Sequence, residues 1–381
     1  MKGKRQPSTR LEQGQIKDDP RPVLITGGAG FVGTNLADRL LDDGIPVLIF
    51  DNLWRPGVER NLNWLCATHG DRVQVEIADI RDFHAVQSAV HRARQVFHFA
   101  AQVAVTTSIE NPIADFEVNL RGTFNVLEAL RSTRNPPPLV YTSTNKVYGD
   151  LGNLAVHRRG DRYMPLDEAT AKNGVGEDRP LDFHSPYGCS KGGADQYILD
   201  YARIYELPAA VFRMSCIYGP HQHGTEDQGW VAHFLIRALQ DQPITIYGDG
   251  LQVRDVLFVE DLVRALRLAG DNIDRLRGQV FNIGGGPAKT TSLIELVDLI
   301  EELHGRRPEL EFAPWRTGDQ KYYVSDTRKL NRAAGWQPEV TVRDGVAATY
   351  EWLLMYSDKQ TRYKPAMVAA EPAPSSRFKR L

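Results

Sequence analysis

The run PVLITGGAGFVG, residues 22–33, constrains this chain more than any other stretch. An apolar segment of strand length passes directly into glycines spaced GxxGxxG, at Gly27, Gly30 and Gly33, and then into a helical pattern. Glycine is needed where a backbone turns sharply and lets a bulky anion approach. A helix N-terminus adds free N–H groups and a favourable dipole, which suits a pyrophosphate. Such a loop alone is a weak signal, because glycine-rich turns often serve only packing. Its context strengthens it: a second apolar run, PVLIF (46–50), ends at Asp51, where a carboxylate would meet the hydroxyls of an adenosine ribose. A carboxylate there repels a 2′-phosphate and favours NAD over NADP, a preference that the nearby Arg55 softens.

The pattern then repeats. VQVEI (73–77), QVFHF (95–99) and PLVYTS (138–143) are further strand-like runs, apolar almost throughout, as parallel strands covered on both faces should be. Between them lie stretches such as FVGTNLADRLLDD and FEVNLRGTFNVLEALRS, with apolar residues three and four apart. Repeated βα units of this kind predict an α/β fold, a Rossmann-type doubly wound parallel sheet. Residues 151–184 show no clear period and read as a long surface excursion, followed by a strong helix and a sixth strand, AAVFR. Past Gly219-Pro220 short strands (ITIYG, VRDVLFV, QVFNIGG) mix with helices, which reads as a smaller C-terminal α/β substrate domain. The expected division is a dinucleotide-binding domain over 21–218, with some later segments returning to it, and a second domain over 219–356. Residues 1–20 and 357–381 read as disordered tails.

Bulk properties exclude several classes. Lys and Arg number 46 against 48 Asp and Glu, so no global field draws the chain to nucleic acid or to an acidic membrane. No apolar run is long enough to span a bilayer. Cys66, Cys189 and Cys216 are scattered without a CxxC pair, which argues for a reducing, cytoplasmic setting and against structural zinc. His221 and His223 in PHQHG hint at a metal but lack a third ligand, so no metal is expected.

HSPYGCSKGGADQYILDYARIY carries Tyr187 and Lys191 in a YxxxK spacing, which puts phenol and ammonium on one helix face. A nearby cation stabilises phenolate and can draw a tyrosine down from its usual value of about 10. Such a tyrosine can take or return the proton of an alcohol while hydride moves. Tyrosine and lysine four apart also occur by chance. Position favours the functional reading, because the hydroxyls of TSTNKVYGD (142–150) lie just upstream at the end of the fifth strand. Ser190 and Cys189 read as packing residues.

Taken together, GxxGxxG, Asp51, HFAAQ, Asn119, STxxVYG and YxxxK resemble the extended short-chain dehydrogenase/reductase family, over residues 22 to about 355. The resemblance implies a Rossmann domain holding NAD and a smaller domain gripping a nucleotide-sugar. It also implies that Tyr187 is the acid/base, that Lys191 holds the nicotinamide ribose, and that Thr144 bonds the reacting sugar oxygen. Gly27, Gly30, Phe31, Val32 and Gly33 would cradle the pyrophosphate, and Asp51 and Asn52 would meet the ribose. Asp79 and Ile80 would meet the adenine, with Ala100, Ala101, Gln102 and Asn119 on the nicotinamide side. Members commonly dimerise through the helices carrying Asn119 and Tyr187, so a homodimer is expected.

Within that family, 4,6-dehydratases place Asp-Glu after the threonine, as the acid and base of an elimination, and uronate decarboxylases place a Glu in the same region. Here the positions hold Asn145 and Lys146. Epimerisation remains, since it needs only hydride transfer and the tyrosine. STNKVYGDL, QVAVTTSIENP and DQGWV, with Gln228, resemble the branch that inverts C2 of a CDP-linked dideoxyhexose. Asn145 and Lys146 would then face the sugar, or Lys146 would be solvated or paired with Asp150. Arg254 of GDGLQVRDVLFVEDL would meet the diphosphate or ribose, although an Arg-Asp pair such as Arg254-Asp255 on a strand edge is more often a surface ion pair. Asp319 matches a family position near the nucleotide. Cys216 departs from the Asn that many 4-epimerases carry. A 4-epimerase of a UDP- or other nucleotide-sugar is the enzyme alternative, and a catalytically silent NAD-binding sensor the non-enzyme one.

Overall fold

The computed structural model describes residues 19–316 and 318–362. Most of both expected tails lies outside these residues, although the last helix, Val342–Arg362, continues past Ser357. The first strands follow the apolar runs: β1 (Val23–Thr26), β2 (Val47–Asp51), β3 (Val73–Ile77), β4 (Gln95–His98) and β5 (Leu139–Thr144). The excursion after β5 is more ordered than its sequence suggests. It holds an antiparallel hairpin, β6 (Val156–Arg159) with β7 (Arg162–Pro165), and a short helix, Glu168–Asn173. Leu151 and Val175 anchor it in a small core with Tyr148 and Tyr323. Those anchors are too widely spaced to leave a periodic trace.

β8 (Ala209–Met214) follows the long Pro186–Ile204 helix. Next come β9 (Cys216–Tyr218), β10 (Ile244–Tyr247), β11 (Val253–Phe258), β12 (Val280–Ile283), β13 (Thr290–Ser292), β14 (Leu310–Ala313) and β15 (Tyr322–Tyr323). The main sheet is parallel throughout, in the order β12-β8-β5-β4-β1-β2-β3. Strand order reverses between β1 and β4, and that crevice is where an open α/β sheet binds ligand.

Helices cover both faces. One face buries Leu36, Leu40, Leu62, Leu262 and Leu266, and the other Val86, Val126, Leu130, Ile198 and Tyr201. Two elements from the later half join this unit. β12 pairs with β8 in register Val280↔Val211, and the Val259–Asp271 helix packs in the first of those cores. The second lobe has its own core around Phe234, Leu235, Ile246, Leu296 and Ile300. Within it β11 is an interior strand, paired with β9, β13 and β15. Arg254 and Asp255 are therefore not on a strand edge, and both are buried.

Candidate active site

The glycine loop is tight enough to exclude side chains. A Cβ on Gly27, whose φ is +68°, would lie 2.7 Å from the Ala100 nitrogen. One on Gly33 would lie 2.5 Å from the Gly27 oxygen. Gly30 caps the Phe31–Asp42 helix, and no side chain bonds the first-turn N–H groups. They are left for an anion. The Asp51 carboxylate, at the end of β2, accepts from the Ala29 and Leu53 N–H groups at 3.1 and 2.9 Å. Burial holds its pKa above the usual carboxylate range, and those N–H groups oppose the rise. Arg55 is turned away, donating to Gln228 at 2.8 Å.

The neighbouring residues expected on the adenine side are tied together. Asn52 donates to Asp79 at 2.9 Å, and Arg81 bonds the same carboxylate at 2.8 Å, holding its pKa far below the ordinary range. Ile80 is buried, with its carbonyl held by Asn125 at 3.0 Å. On the other side, Asn119 clamps the loop Ala100–Gln102. Its Oδ1 accepts from the Gln102 N–H at 2.8 Å, and its Nδ2 lies 3.1 Å from the Gln102 carbonyl. His98 is buried between Thr26 Oγ1 (2.6 Å) and Thr123 Oγ1 (3.0 Å). Burial pulls its pKa down to about 3, so it is a neutral strut.

The Pro186–Ile204 helix opens with Ser185 as its cap, accepting from the Gly188 N–H at 3.0 Å. Pro186 takes the first helical position, where its missing N–H costs nothing. This start sets Tyr187 in the wall of the cleft, with Thr144 at the end of β5. Thr144 accepts from the Lys146 N–H at 3.2 Å, which turns the chain so that Asn145 and Lys146 also face the cleft.

One expectation fails in detail. The Lys191 ammonium does not pull the phenol down; it donates to the Thr142 carbonyl at 2.7 Å and sits 4.3 Å over the Tyr141 ring. Burial dominates Tyr187 and pushes its pKa up to about 12, the Thr144 hydroxyl opposing and the Asp115 charge adding to the rise. Burial likewise lowers Lys191 to about 7, with Asp195 and Asp115 opposing.

The cleft has a volume of about 490 Å³ and lies between the ends of the main sheet and the second lobe. Arg254, almost buried, donates to Asp319 at 2.6 Å. Lys146 Nζ stands 3.8 Å from the same carboxylate and 3.3 Å from the Gly318 carbonyl, so its partner is Asp319 and not Asp150. Burial lowers the Lys146 pKa, and Asp319 resists that fall. Arg254 does not pair with Asp255, whose carboxylate takes Ser215 and the Gly286 N–H instead. Cys216 Sγ accepts from the Trp230 indole at 3.4 Å, and burial pushes its thiol pKa up.

The structure adds residues that the sequence reading passed over. Arg316 lines the cleft with its guanidinium 3.8 Å over the Tyr247 ring, and Glu226 and Asp227 hold it at 3.3 and 3.7 Å. It lies three positions before Asp319 in RTGDQKYYVSD, so a charged neighbour was visible there. Ser143 Oγ is buried in the wall without a hydrogen-bond partner among the described residues. Ser190 is not a packing residue, since it donates to Asp115 at 2.5 Å. His221 and His223 each contact another segment of the chain. The first packs against Trp64 with the rings tilted and their centroids 4.2 Å apart, and the second meets Asn61 at 3.2 Å.

Comparison with known proteins fits this geometry. Residues 23–284 match the model of the NAD dependent epimerase/dehydratase family. The chain is 44% identical to the CDP-paratose 2-epimerase of Salmonella typhi, over 87% of this chain and 98% of that one. A structure of UDP-glucose 4-epimerase with UDP-glucose from Thermotoga maritima superposes with a TM-score of 0.76 at 30% identity, covering 88% of this chain and 99% of that one. A Thermus thermophilus UDP-glucose 4-epimerase in complex with NAD gives a TM-score of 0.72 at 32% identity, covering 87% and 99%.

Proposed function

The chain belongs to the NAD dependent epimerase/dehydratase family, and on that premise we propose that it is a nucleotide-sugar 2-epimerase acting on a CDP-linked dideoxyhexose. The observation that carries this reading is the company of Thr144. Asn145 and Lys146 follow it into the cleft, and every carboxylate among the described lining residues is engaged elsewhere. Glu226 and Asp227 hold Arg316, and Asp319 holds Arg254. An elimination would need a free acid and base beside Tyr187. A hydride-transfer epimerisation needs neither. Likeness to the Salmonella typhi enzyme supports the CDP-sugar and the C2 position.

The residues present fit NAD. Gly27, Gly30 and Gly33 leave a cradle that a Cβ would fill, and Phe31 and Val32 lie beside it at the helix start, which has no side-chain cap bond. Asp51 and Asn52 would hold the adenosine ribose, Asp79 and Ile80 the adenine, Ala100 to Gln102 with Asn119 the nicotinamide side, and Lys191 the nicotinamide ribose. When bound, NAD would supply a reversible hydride acceptor.

The protein's own part is proton handling and grip. Tyr187 takes the proton from the hydroxyl at the reacting carbon and returns one to the product, with Thr144 holding that oxygen. Both faces of one carbon must be presented, so the sugar turns while the nucleotide diphosphate stays fixed. Arg254, kept in place by Asp319, gives the diphosphate a rigid charged fork. Lys146, Asn145, Cys216 and Gln228 complete the substrate side. The chain reads as a homodimer, because Ile113 and Phe116 are exposed on the short helix just before Asn119, and Tyr197 and Ile204 on the Tyr187 helix. It reads as cytoplasmic, since its three cysteines are unpaired and none of the described helices is long and apolar enough to cross a membrane.

The test incubates the purified protein with CDP-paratose, UDP-glucose and UDP-glucuronate in separate samples, followed by NMR. Inversion at C2 of the CDP-sugar is expected, with no deuterium incorporated in heavy water. Turnover of a UDP-sugar with the CDP-sugar untouched would replace this reading by a 4-epimerase, the activity named for the two solved relatives.

A further inference from the structure

Asp115 is a buried carboxylate, 1% exposed, in the short Pro112–Phe116 helix. Among the described residues, no Lys, Arg or His side-chain nitrogen comes within 4.0 Å of it. Two neutral groups hold it instead. Ser190 Oγ donates at 2.5 Å, and Asn119 Nδ2 lies at 3.0 Å. Ser190 stands between Tyr187 and Lys191 on the Pro186–Ile204 helix, and Asn119 clamps the Gln102 backbone. An ionised carboxylate without a cation is costly to bury and would not be expected for packing alone.

We propose that Asp115 is a positioning residue for the Tyr187-Lys191 pair: through Ser190 and Asn119 it locks the first turn of the Tyr187 helix onto the Ala100–Gln102 loop, and it supplies the negative charge that Lys191 faces from outside its own helix. This rests on the hydride-transfer reading above but not on the choice of nucleotide-sugar.

The surroundings of Lys191 bear this out. On its own helix it faces Tyr187 and Asp195, and Asp195 is already paired with Arg213 of β8 at 2.7 Å. From β5 it meets the Thr142 carbonyl and the Tyr141 ring, and from β4 the neutral His98. Among the described residues Asp115 is therefore the acidic group in this environment that has no ion-pair partner within 4.0 Å. Its charge raises the pKa of Lys191 against burial and raises that of Tyr187 as well. The Ser190 hydrogen bond in turn favours the ionised form of Asp115, against the burial that raises its pKa.

The signs follow. Asp115→Asn removes the charge, so Lys191 loses its proton at a lower pH and the alkaline limb of activity moves toward acid. Ser190→Ala lets Asp115 take up a proton more readily, which moves the limb the same way by less. The experiment titrates Lys191 by NMR in full-length protein carrying 13Cε-labelled lysine, its signal assigned with Lys191→Arg, and repeats the pH profile of turnover. Wild type, Asp115→Asn and Ser190→Ala are compared, with melting curves to show that each variant is folded. A downward shift of at least half a pH unit in Asp115→Asn, with KM changed less than threefold, is the expected result. If Asp115→Asn does not fold, a downward shift in Ser190→Ala supports the proposal. An unshifted Lys191 titration in every folded variant overturns it. Absence of turnover by the wild type would overturn the functional reading and leave the lysine titration to decide on Asp115.

Discussion

Arg254 and Asp319, 65 residues apart in sequence, meet at 2.6 Å in the cleft wall, with Lys146 Nζ 3.8 Å from the same carboxylate. One acid thus sets two cations, and all three groups are largely buried. Breaking such a pair from one side leaves an unmatched charge, which typically costs about 3–5 kcal/mol when burial is complete. Asp319 is partly exposed, so a smaller loss is expected.

Asp319→Asn should raise KM for the nucleotide-sugar at least tenfold while kcat falls less than fivefold, because Arg254 and Lys146 lose their anchor rather than the reacting groups. Steady-state kinetics checks this. Arg254→Ala should raise KM further, and adding salt should narrow the gap between Arg254→Ala and the wild type, as for any cation serving a diphosphate.

Tyr187→Phe should lower kcat by a factor on the order of 10²–10⁴, the usual worth of a positioned acid/base. Retained NAD, measured after denaturing the purified protein, should stay at the wild-type level. Loss of NAD together with activity would assign the phenol to cofactor binding.

Gly33→Ala should abolish NAD retention. Its Cβ would stand 2.5 Å from the Gly27 oxygen, against backbone that has no room to yield. NAD content per chain is the measurement, and near-stoichiometric NAD in a folded variant would contradict the cradle.

His98 supplies a pH dependence of stability. Its folded pKa, about 3, lies below the ordinary 6.5, so between those values the unfolded chain binds more protons than the folded one. Stability should therefore fall as pH drops from 6.5 toward 3, by up to about 2 kcal/mol by pH 5. Denaturant titrations at pH 7 and pH 5 test this. His98→Phe should flatten that slope but remove the imidazole bonds of Thr26 and Thr123, which keep their bonds to Ala100 and Asn119 respectively, at a cost of about 1–3 kcal/mol at pH 7.

Much of this protein was legible in its sequence where the determinant is local. The glycine loop, Asp51 at the end of β2, and the YxxxK face each depend on backbone geometry within a few residues; the structure has no room for a Cβ at Gly27 or Gly33 and puts Thr144 and Tyr187 in the wall of one cleft. The apolar runs marked five strands of the main sheet; β1, β2, β4 and β5 are buried on both faces and need little else, whereas β3, at the sheet edge, leaves Val75 and Ile77 exposed against the expectation of cover on both faces. Residues 151–184 escaped because a two-stranded hairpin and a few scattered anchors carry no period.

The chain by itself therefore determined the dinucleotide fold and the family, and singled out Thr144 and Tyr187 as candidates. Only the tertiary structure decided who partners whom: Lys146 with Asp319 rather than Asp150, Asp255 with Ser215 rather than Arg254, and Ser190 with Asp115 rather than in packing. It also decided that Lys191 turns to the Thr142 carbonyl while burial governs the phenol. The reason is physical. A local motif fixes a backbone and the direction of a side chain, whereas a charge finds its partner, and its pKa, only when distant segments close around it and remove the water.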